Sequence, residues 1–431
     1  MQNRVSYRLK FVAYLCLGII LSVNTSKAAQ VLSLESAVTE ALASNPSLAV
    51  IQARAEALAE IPEQAESLPD PRLSINMVNL PLNTFSFTQE GMTQLQVGIT
   101  QTLPYPGKLA LRSQALSFEV DAAQADVEEN RLQLVRDVRT VWWNLFYLNQ
   151  ALEVIARNQT LLIQIINVAE TRYQVGQGFQ QDILLAQLEL SKLKDNEIRA
   201  QNMRENEAAR LNVLLGRSSH SPVPLPVSVP EELPLVLSVK ALQIRAESSR
   251  PILMSQQGRI NAARRRIDLA KKAYAPDFQL GAMYGLRSGS NSDGSRRADF
   301  GSITFSMNLP IYTDNKQDRA VDQRNAEWME QKYQLQDQRN QVVSQVQQAV
   351  NDFQRAGERT RLFKEQIIPQ AAQTVEATLA GYQVGKVDFL TLLRSQTSLY
   401  DYETQYWKAF SSANQALARL IAAVGEEKIY E

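Results

Sequence analysis

One stretch of this chain constrains the fold more than any other: the 68 residues from 108 to 175 contain neither proline nor glycine. Proline breaks helix interiors and glycine weakens them, so the stretch favours a single long helix. At ~1.5 Å per residue it is a rod of ~100 Å, far longer than the helices of an ordinary globular domain. Residues 92–103 alternate apolar and polar side chains as a β-strand does, and Leu-Pro-Tyr-Pro-Gly-Lys over 103–108 then turns the chain. The pattern predicts a strand that leads directly into a long rod.

The composition excludes several classes of function. Lysine plus arginine and aspartate plus glutamate both number 45, so no net charge favours a nucleic-acid partner. Cys16 and His220 are the only residues of their types, which leaves no disulfide, no cysteine-based metal site and no catalytic constellation of a usual kind. We therefore predict no enzyme activity, no cofactor and no metal site.

Residues 1–28 have the pattern of a secretory signal peptide. A basic start is followed by an apolar core over 11–23 and by the small residues Ser26 and Ala28 at the expected cleavage site. The apolar core is about 13 residues long, short of the ~20 that a membrane-spanning helix needs, and no later apolar run is long enough either. This pattern predicts an exported protein that is periplasmic, secreted or inserted in an outer membrane.

The second half of the chain repeats the plan of the first half. Six matches occur in the same order, displaced by 205 to 209 residues: Pro46 with Pro251, Pro71 with Pro276, Leu103-Pro104 with Leu309-Pro310, Tyr173–Gly176 with Tyr382–Gly385, Gln187 with Gln396, and Gly216 with Gly425. We interpret this as a tandem duplication of helix, two strands, long helix and return helix. Pro104, Pro106 and Gly107 form the strand–helix turn of the first repeat, and Pro310 marks that of the second.

These patterns predict the following boundaries. The first repeat covers 29–216, with strands at about 72–79 and 92–103, a long helix over 108–175 and a return helix over 181–215. The second repeat covers 236–425, with strands at about 277–287 and 299–309, a long helix over 315–384 and a return helix over 388–424. Between them, 217–235 is an extended connector with five prolines, and 426–431 form a tail. His220 lies in the connector as a solvated loop residue.

The predicted strands each have one apolar face. In the third, Phe278, Leu280, Ala282, Tyr284 and Leu286 lie on the same side. Strands of about ten residues with this alternation are typical of outer-membrane barrels. A soluble β-sandwich shows the same alternation but has many short strands, whereas this chain has four, separated by a largely helical segment. The apolar face is therefore predicted to contact lipid.

Four strands cannot close a barrel, and lipid does not tolerate an open sheet edge. Other copies of the chain must complete it. Two copies would give eight strands around an interior filled by side chains, and three would give twelve and leave room for a passage. The strand pattern alone leaves both open.

The long helices carry an apolar stripe typical of coiled coils, with polar side chains on the opposite face. Its members are Val135, Val138, Trp142, Leu145 and Leu152 in the first repeat, and Val346, Val350 and Phe353 in the second. Taken alone, the stripes fit a plain structural coiled coil equally well. Only their connection to membrane-type strands favours a channel.

Together, these motifs resemble the TolC family of outer-membrane efflux factors. The resemblance rests on Asn45-Pro46, Pro69-Asp70-Pro71, the turn over 103–108, the paired Tyr-Gln-Val-Gly sequences and the duplication. Ile367-Ile368-Pro369 is also similar to the second long helix of that family. Residues 92–112 look closest to its heavy-metal cation-efflux branch.

The resemblance implies a mainly α fold with a small β part, in which long coiled-coil hairpins accompany four transmembrane strands. It also implies a homotrimer that forms a twelve-stranded β-barrel in the outer membrane of a Gram-negative bacterium and a twelve-helix tunnel in the periplasm. An inner-membrane pump, of RND type for the metal-efflux branch, supplies the energy. A periplasmic adaptor docks at the tip of the tunnel.

The tip of the family carries over to the two Tyr-Gln-Val-Gly turns. The residues expected to dock the adaptor are Tyr173, Val175, Gly176 and Gly178 of the first turn, and Tyr382, Val384, Gly385 and Lys386 of the second. Asp388, Thr391 and Arg394 stand where many members narrow the tunnel with acidic side chains. The arginine departs from that pattern, and the sequence leaves open whether Arg394 lines the lumen or pairs with a neighbouring helix.

The predicted function is a passive exit duct for heavy-metal cations or small toxic compounds. The helix ends near Tyr173 and Tyr382 would close it at rest, and adaptor binding would open it. Two alternatives remain: a type I secretion or multidrug outlet of the same fold, and a periplasmic coiled-coil scaffold without a pore.

Overall fold

The computed structural model describes residues 31–426 and 429–430, so the predicted signal peptide over 1–28 lies outside the described residues. The first half of the described chain contains α1 (Leu34–Ser44), α2 (Pro46–Ala59), α3 (Ile61–Glu66), β1 (Arg72–Val78), β2 (Gln94–Leu103), α4 (Lys108–Gln174) and α5 (Gln180–Leu214). The second half contains α6 (Val239–Ser249), α7 (Pro251–Lys271), β3 (Phe278–Leu286), β4 (Phe300–Met307), α8 (Gln317–Leu362), α9 (Ile368–Gln383) and α10 (Phe389–Val424).

The first long helix, α4, runs without a break for 67 residues, in agreement with the predicted stretch 108–175. It begins after Gly107, whose φ of +86° is in the left-handed region that favours glycine. The amide of Lys108 donates to the Tyr105 carbonyl at 3.0 Å, which closes the turn out of β2. The glycine of the predicted turn therefore reverses the chain and starts the helix.

The second long helix departs from the prediction of one helix over 315–384. α8 ends at Leu362, residues Phe363–Ile367 form a π-helical turn, and α9 follows from Ile368. Proline inside a helix lacks an N–H donor and its ring collides with the carbonyl four residues earlier. Pro369 is the second residue of α9, so the widened π turn lies where that collision would occur. The same proline that fits the family pattern is thus the reason for the interruption.

The four strands form one antiparallel sheet in the order β1-β2-β3-β4. Its register aligns apolar side chains on one face, as in the pairs Leu73 with Ile99 and Leu280 with Phe305. These side chains are exposed in the single chain, and Ile303 is the most exposed at 88%. The outer edges of β1 and β4 have no partner strand among the described residues.

The duplication is visible in the contacts of the two repeats. Asn45 and Arg250, the residues before the matched prolines, donate to the carbonyls of Leu214 and Ala423 in the last turn of their return helices, at 2.9 and 2.8 Å. The two donor residues are 205 positions apart and the two acceptor residues are 209 apart, in agreement with the offsets of the sequence matches. The same bond is therefore made twice by different donors.

The connector and the chain ends repeat a second contact. The amide of Leu32 donates to the Pro224 carbonyl at 2.7 Å, and the amide of Leu237 donates to the Ile429 carbonyl at 3.1 Å. All four residues lie near the centre of the rods. There the proline-rich segment covers the apolar core, and Val223 is buried with it.

An aromatic cluster forms the middle of the core. Trp142, Trp143 and Phe146 of α4 pack on one another with ring centroids 5.0 to 5.8 Å apart, and the ring of Trp143 also lies 5.6 Å from that of Phe410 of α10. The indole N–H of Trp142 donates to the Leu32 carbonyl at 3.0 Å, which satisfies the polar atom of a fully buried side chain. Most of the predicted stripe is buried as well, namely Val138, Trp142, Leu145, Val346, Val350 and Phe353. Val135 and Leu152 are partly buried.

Candidate functional site at the helical tip

The turn that ends α4 is a Schellman motif, in which a left-handed glycine satisfies the last carbonyls of the helix. The amide of Gly176 donates to the Tyr173 carbonyl at 3.0 Å, and the amide of Gln177 donates to the Arg172 carbonyl at 2.8 Å. Gly176 has φ +76°. Gly178 packs closely on the same turn, because an added methyl group would lie 3.0 Å from the Tyr173 nitrogen.

The turn that ends α9 repeats this geometry. The amide of Gly385, at φ +74°, donates to the Tyr382 carbonyl at 3.0 Å, and the amide of Lys386 donates to the Gly381 carbonyl at 2.9 Å. The two Tyr-Gln-Val-Gly sequences are thus two copies of one helix stop.

Arg172 joins the two turns. Its guanidinium donates to the Tyr382 and Gln383 carbonyls of the second turn, the latter at 3.0 Å, and to the Gln177 carbonyl of the first turn, also at 3.0 Å. It also lies over the Tyr382 ring, 4.8 Å from the ring centroid. One side chain therefore bonds to carbonyls of both turns, at the C-terminal ends of α4 and α9 where a cation is favoured. We call this set of contacts the tip clasp.

Tyr382 is the buried centre of the tip, with 3% of its surface exposed. Its ring packs on Phe389 at 5.4 Å between centroids, and its hydroxyl faces Asp182 at 3.4 Å. Burial raises the pKa of Asp182, although the contacts with Tyr382 and Arg172 oppose the rise. Burial likewise raises the pKa of Tyr382. A tyrosine, an aspartate and an arginine from both repeats thus share one partly desolvated cluster.

Two of the three predicted gate residues form a helix cap. Asp388 is the N-cap of α10, and its carboxylate accepts from the amide and from the hydroxyl of Thr391, both at 2.8 Å. These bonds lower the pKa of Asp388 and keep it ionised. Within one chain, the pair therefore fixes the start of α10.

Arg394, the third gate candidate, is exposed and forms no ion pair with any residue that the structure describes. Its helix neighbours Leu392 and Leu393 face the opposite way and are buried against α4. The side chain points away from the core of its own chain. Its role as a gate residue stays a prediction.

The predicted docking residues outside the clasp form the outer surface of the tip. Tyr173, Val175, Val384 and Lys386 are all exposed, and the two valines are 63% and 68% exposed. Phe179 at the start of α5 is exposed beside them. Apolar side chains at a helix tip, with glycines that let another backbone approach, form a surface suited to a protein partner.

Sequence reasoning missed Arg172 and Asp182. Arg172 adjoins the predicted motif, and its counterpart 209 residues later is Gly381, so the repeats differ at this position. Asp182 has Thr391 as its counterpart. The difference between the repeats at these two positions was the sequence signal that could have identified them. A clasp between the two halves needs different residues on its two sides.

The strand–helix turn of the first repeat is anchored on the second. Asp277, just before β3, accepts from the Tyr105 amide at 2.7 Å and pairs with the Lys108 ammonium at 2.8 Å. Pro104 and Pro106 flank the anchored amide. Pro310 occupies the corresponding turn after β4, where the Ile311 amide donates to the Leu309 carbonyl at 3.0 Å.

None of the helices that the structure describes is long and apolar enough to cross a membrane. Over residues 31–426 and 429–430, no group of three or more His, Cys, Asp or Glu side chains is placed to hold a metal ion. His220 is an exposed loop residue next to the Ser219 hydroxyl.

A sheet with an exposed apolar face that continues into long, duplicated helical hairpins is the architecture of outer-membrane efflux channels. The outer membrane protein VceC of Vibrio cholerae matches this chain with a TM-score of 0.75 at 20% identity, over 91% of this chain and 96% of VceC. The outer membrane protein TolC of Escherichia coli is 22% identical over 403 residues, which cover 89% of this chain and 80% of TolC. The cobalt-zinc-cadmium resistance protein CzcC of Cupriavidus metallidurans is 20% identical over 404 residues, 93% of this chain and 91% of CzcC.

The family model described as outer membrane efflux protein matches residues 37–217 and 243–426, the two halves of the duplication. The chain therefore belongs to the outer membrane efflux protein family. It is an outer-membrane component of an efflux system, as the sequence resemblance implies.

Proposed function

We propose that three copies of this chain form a passive exit duct across the outer membrane and the periplasm. The apolar face of the sheet would contact lipid, and three sheets would close a twelve-stranded barrel. The helical hairpins would continue it as a twelve-helix tunnel. An inner-membrane pump would drive transport through a periplasmic adaptor that docks at the tip.

The observation that carries the proposal is an unmatched face on α5. The return helix of the second repeat, α10, packs on both long helices, α8 and α4. Its counterpart α5 packs on α4 alone among the long helices of its own chain. Leu184 of α5 is 57% exposed, whereas Leu393, 209 residues later, is 5% exposed. Since the repeats are equivalent, the missing neighbour of α5 is α8 and α9 of another copy.

The sheet supports the same arrangement. Apolar side chains on β1 and β4 are exposed, and both strands have an unpaired edge, which would be costly in lipid. Pairing of β4 with β1 of the next copy removes both edges. A head-to-tail contact of this kind generates a closed ring.

The tip geometry supports a gate. The tip clasp holds the ends of α4 and α9 together, and the exposed side chains around it suit an adaptor. Adaptor binding would favour a packing in which the clasp is open, which is a shift between two populations. A wide passage selects weakly among substrates, so the inner-membrane pump would choose which substrate is exported.

For the substrate, the similarity to a cobalt-zinc-cadmium resistance protein supports heavy-metal cations. A pump of RND type would then supply the energy, as the sequence resemblance implies. The alternative is a type I secretion or multidrug outlet of the same fold. Growth of a strain lacking the gene separates them: sensitivity to cobalt, zinc or cadmium salts supports the first, and sensitivity to dyes and detergents alone supports the second.

Disulfide crosslinking tests the trimer. The Ser411 hydroxyl of α10 donates to the Trp143 carbonyl of α4 at 2.7 Å, so these two backbones lie close together. The counterpart of Ser411 is Asn202 on α5, 209 residues earlier. The counterpart of Trp143 is Asn351 on α8, 208 residues later, which is also the offset between the buried residues Trp142 and Val350. Asn202 and Asn351 are both exposed in the single chain. The double variant Asn202→Cys with Asn351→Cys is expected to form covalent dimers and trimers in outer-membrane fractions, seen on non-reducing gels.

The control pairs Asn351→Cys with Arg204→Cys. Arg204 points to its own α4, where its guanidinium donates to the Asn149 side chain at 2.6 Å, so this pair should stay monomeric. Crosslinks confined to one chain, or none in either double variant, would contradict the proposed contact between copies.

A further inference from the structure

The one break in the second long helix is held by the connector. The π-helical turn Phe363–Ile367 ends with the amide of Ile368 donating to the Phe363 carbonyl, five residues back. α9 and the tip lie beyond it. The corresponding stretch of the first repeat, 154–158, is ordinary helix within α4. Only the second hairpin therefore has a built-in point at which its axis can change direction.

Glu231 of the connector contacts this turn. Its carboxylate pairs with the Lys364 ammonium at 2.6 Å, and the same oxygen accepts from the Tyr406 hydroxyl at 2.5 Å. Lys364 lies inside the π turn, and Tyr406 lies on α10 with only 7% of its surface exposed. One carboxylate thus ties together the connector, the π turn and the return helix.

The neighbouring contacts are apolar and hold the same elements. Phe363 is buried with Tyr406 and Ala409, and its ring lies 6.3 Å from that of Tyr402. Burial and the bond to Glu231 raise the pKa of Tyr406, so its hydroxyl stays a proton donor. The cluster is closed on the α10 side and open to solvent on the Lys364 side.

The connector itself is fixed to the first repeat. The Gln150 side chain of α4 donates to the Val227 carbonyl at 2.9 Å, and Val223 is buried in the central core. Leu233 approaches Gly357 of α8, where an added methyl group would lie 3.4 Å away. Glu231 therefore lies on a connector that is fixed to the first repeat, whereas the π turn that it contacts belongs to the second.

We propose that Glu231 is a positioning residue of the channel gate: it holds the π turn of the second long helix in the conformation in which the tip clasp is formed. The inference rests on the proposed function, since it assigns a control point to that gate. A change in direction of the π turn would separate Lys364 from Glu231, so the carboxylate contacts favour the clasped state over the open one. Their loss shifts the population toward states in which α9 has swung away from α4.

The test uses Glu231→Ala, Glu231→Gln and the control Glu232→Ala in the full-length mature protein. Glu232 is the exposed neighbour on the connector. The tip opening is read from the distance between spin labels at Gln177→Cys and Gln383→Cys, which lie on the two turns. Labelling is specific, because Cys16 in the predicted signal peptide is the only cysteine of the chain. Open probability is read from single channels in planar bilayers.

Glu231→Ala is expected to raise the ratio of open to clasped tips by about tenfold, since it removes an ion pair and a hydrogen bond to a charged group. Glu231→Gln keeps a hydrogen-bond acceptor for Tyr406 and should raise the ratio about threefold. Glu232→Ala should match the wild type. A purely structural role would lower thermal stability without moving the label distance.

Wild-type label distances in Glu231→Ala would overturn the proposal. The distance between the spin labels can be measured without a conducting pore. It therefore tests the proposed role of Glu231 even if none of the variants conducts ions. Absence of conductance from every variant, including the clasp variant Arg172→Met, would count against the proposed function instead.

Discussion

Among single residues, Arg250 carries the most demanding electrostatics in the centre of the fold. Its guanidinium makes two bonds to the Glu129 carboxylate, at 2.8 and 2.9 Å, and one to the Ala423 carbonyl, with both charged side chains buried. Burial alone would raise the pKa of Glu129, but the hydrogen bonds and charge of Arg250 outweigh it and lower the pKa. Asn45 makes the corresponding bond in the first repeat without a charge. The charged pair is thus specific to the junction between α4 and α7.

Replacement of Glu129 by glutamine is expected to destabilise the protein by about 3 kcal/mol at neutral pH, because it leaves the Arg250 charge buried without a counterion. The carboxylate has a lowered pKa in the folded state, so its stabilising effect is complete above the ordinary value of 4.5 and is lost as the pH falls through the folded value. The difference in unfolding free energy between wild type and Glu129→Gln should therefore shrink below about pH 4.5.

Chemical unfolding in detergent at a series of pH values measures this difference. Glu128→Gln is the control, since Glu128 is exposed and faces Arg131 only at 3.8 Å. A constant difference from neutral to acidic pH, or an equal effect of both substitutions, would show that the buried pair does not act as described.

For the elements, the helix ends explain why the duplication is readable in the sequence. Gly176, Gly216, Gly385 and Gly425 all end helices with a positive φ, and each has its counterpart 209 residues away. Glycine is required there because a side chain disfavours the left-handed region. The space around these glycines differs, however. Gly176 has open space around it, whereas a methyl group on Gly216 would collide with the Ser44 carbonyl.

Gly176→Ala and Gly216→Ala are therefore expected to differ. The first should cost about 1 kcal/mol from backbone strain alone. The second should cost about 3 kcal/mol or more, because the collision with Ser44 adds to the same strain. Thermal unfolding in detergent measures both. Equal losses would indicate that the close approach of α5 to the end of α1 is not tight.

The sequence predicted the elements better than their roles. The glycine- and proline-free stretch defines α4, and period-two alternation defines the four strands to within two residues at each end. The π turn was not predicted, because a proline within a helical pattern indicates a disturbance but not how the backbone absorbs it. Asp388 and Thr391 were predicted as gate residues from the family resemblance, because they follow the second glycine where many members narrow the tunnel. Within one chain they form a helix cap, which the Asp-x-x-Thr spacing before an apolar run also predicts, and their role as gate residues stays a prediction.

At the scale of the whole molecule, the most informative features are the surfaces and strand edges that a single chain leaves exposed or unpaired. The sheet has two unpaired edges and an exposed apolar face, and α5 has a face that its counterpart α10 buries. Arg394 is also exposed in the single chain. The sequence patterns predict that these surfaces are covered, because unpaired strand edges are unfavourable in lipid and exposed apolar faces are unfavourable in water. They could not define the contacts, which depend on how the repeats alternate around a ring.

The measurement that tests the central claim most directly is single-channel conductance of the purified mature protein in planar lipid bilayers. Discrete conductance steps are expected from the wild type. Arg172→Met is expected to increase the open probability several-fold, because it removes the side chain that joins the two turns of the tip. If inserted protein gives no conductance steps in the wild type or in Arg172→Met, three copies of this chain do not form a duct.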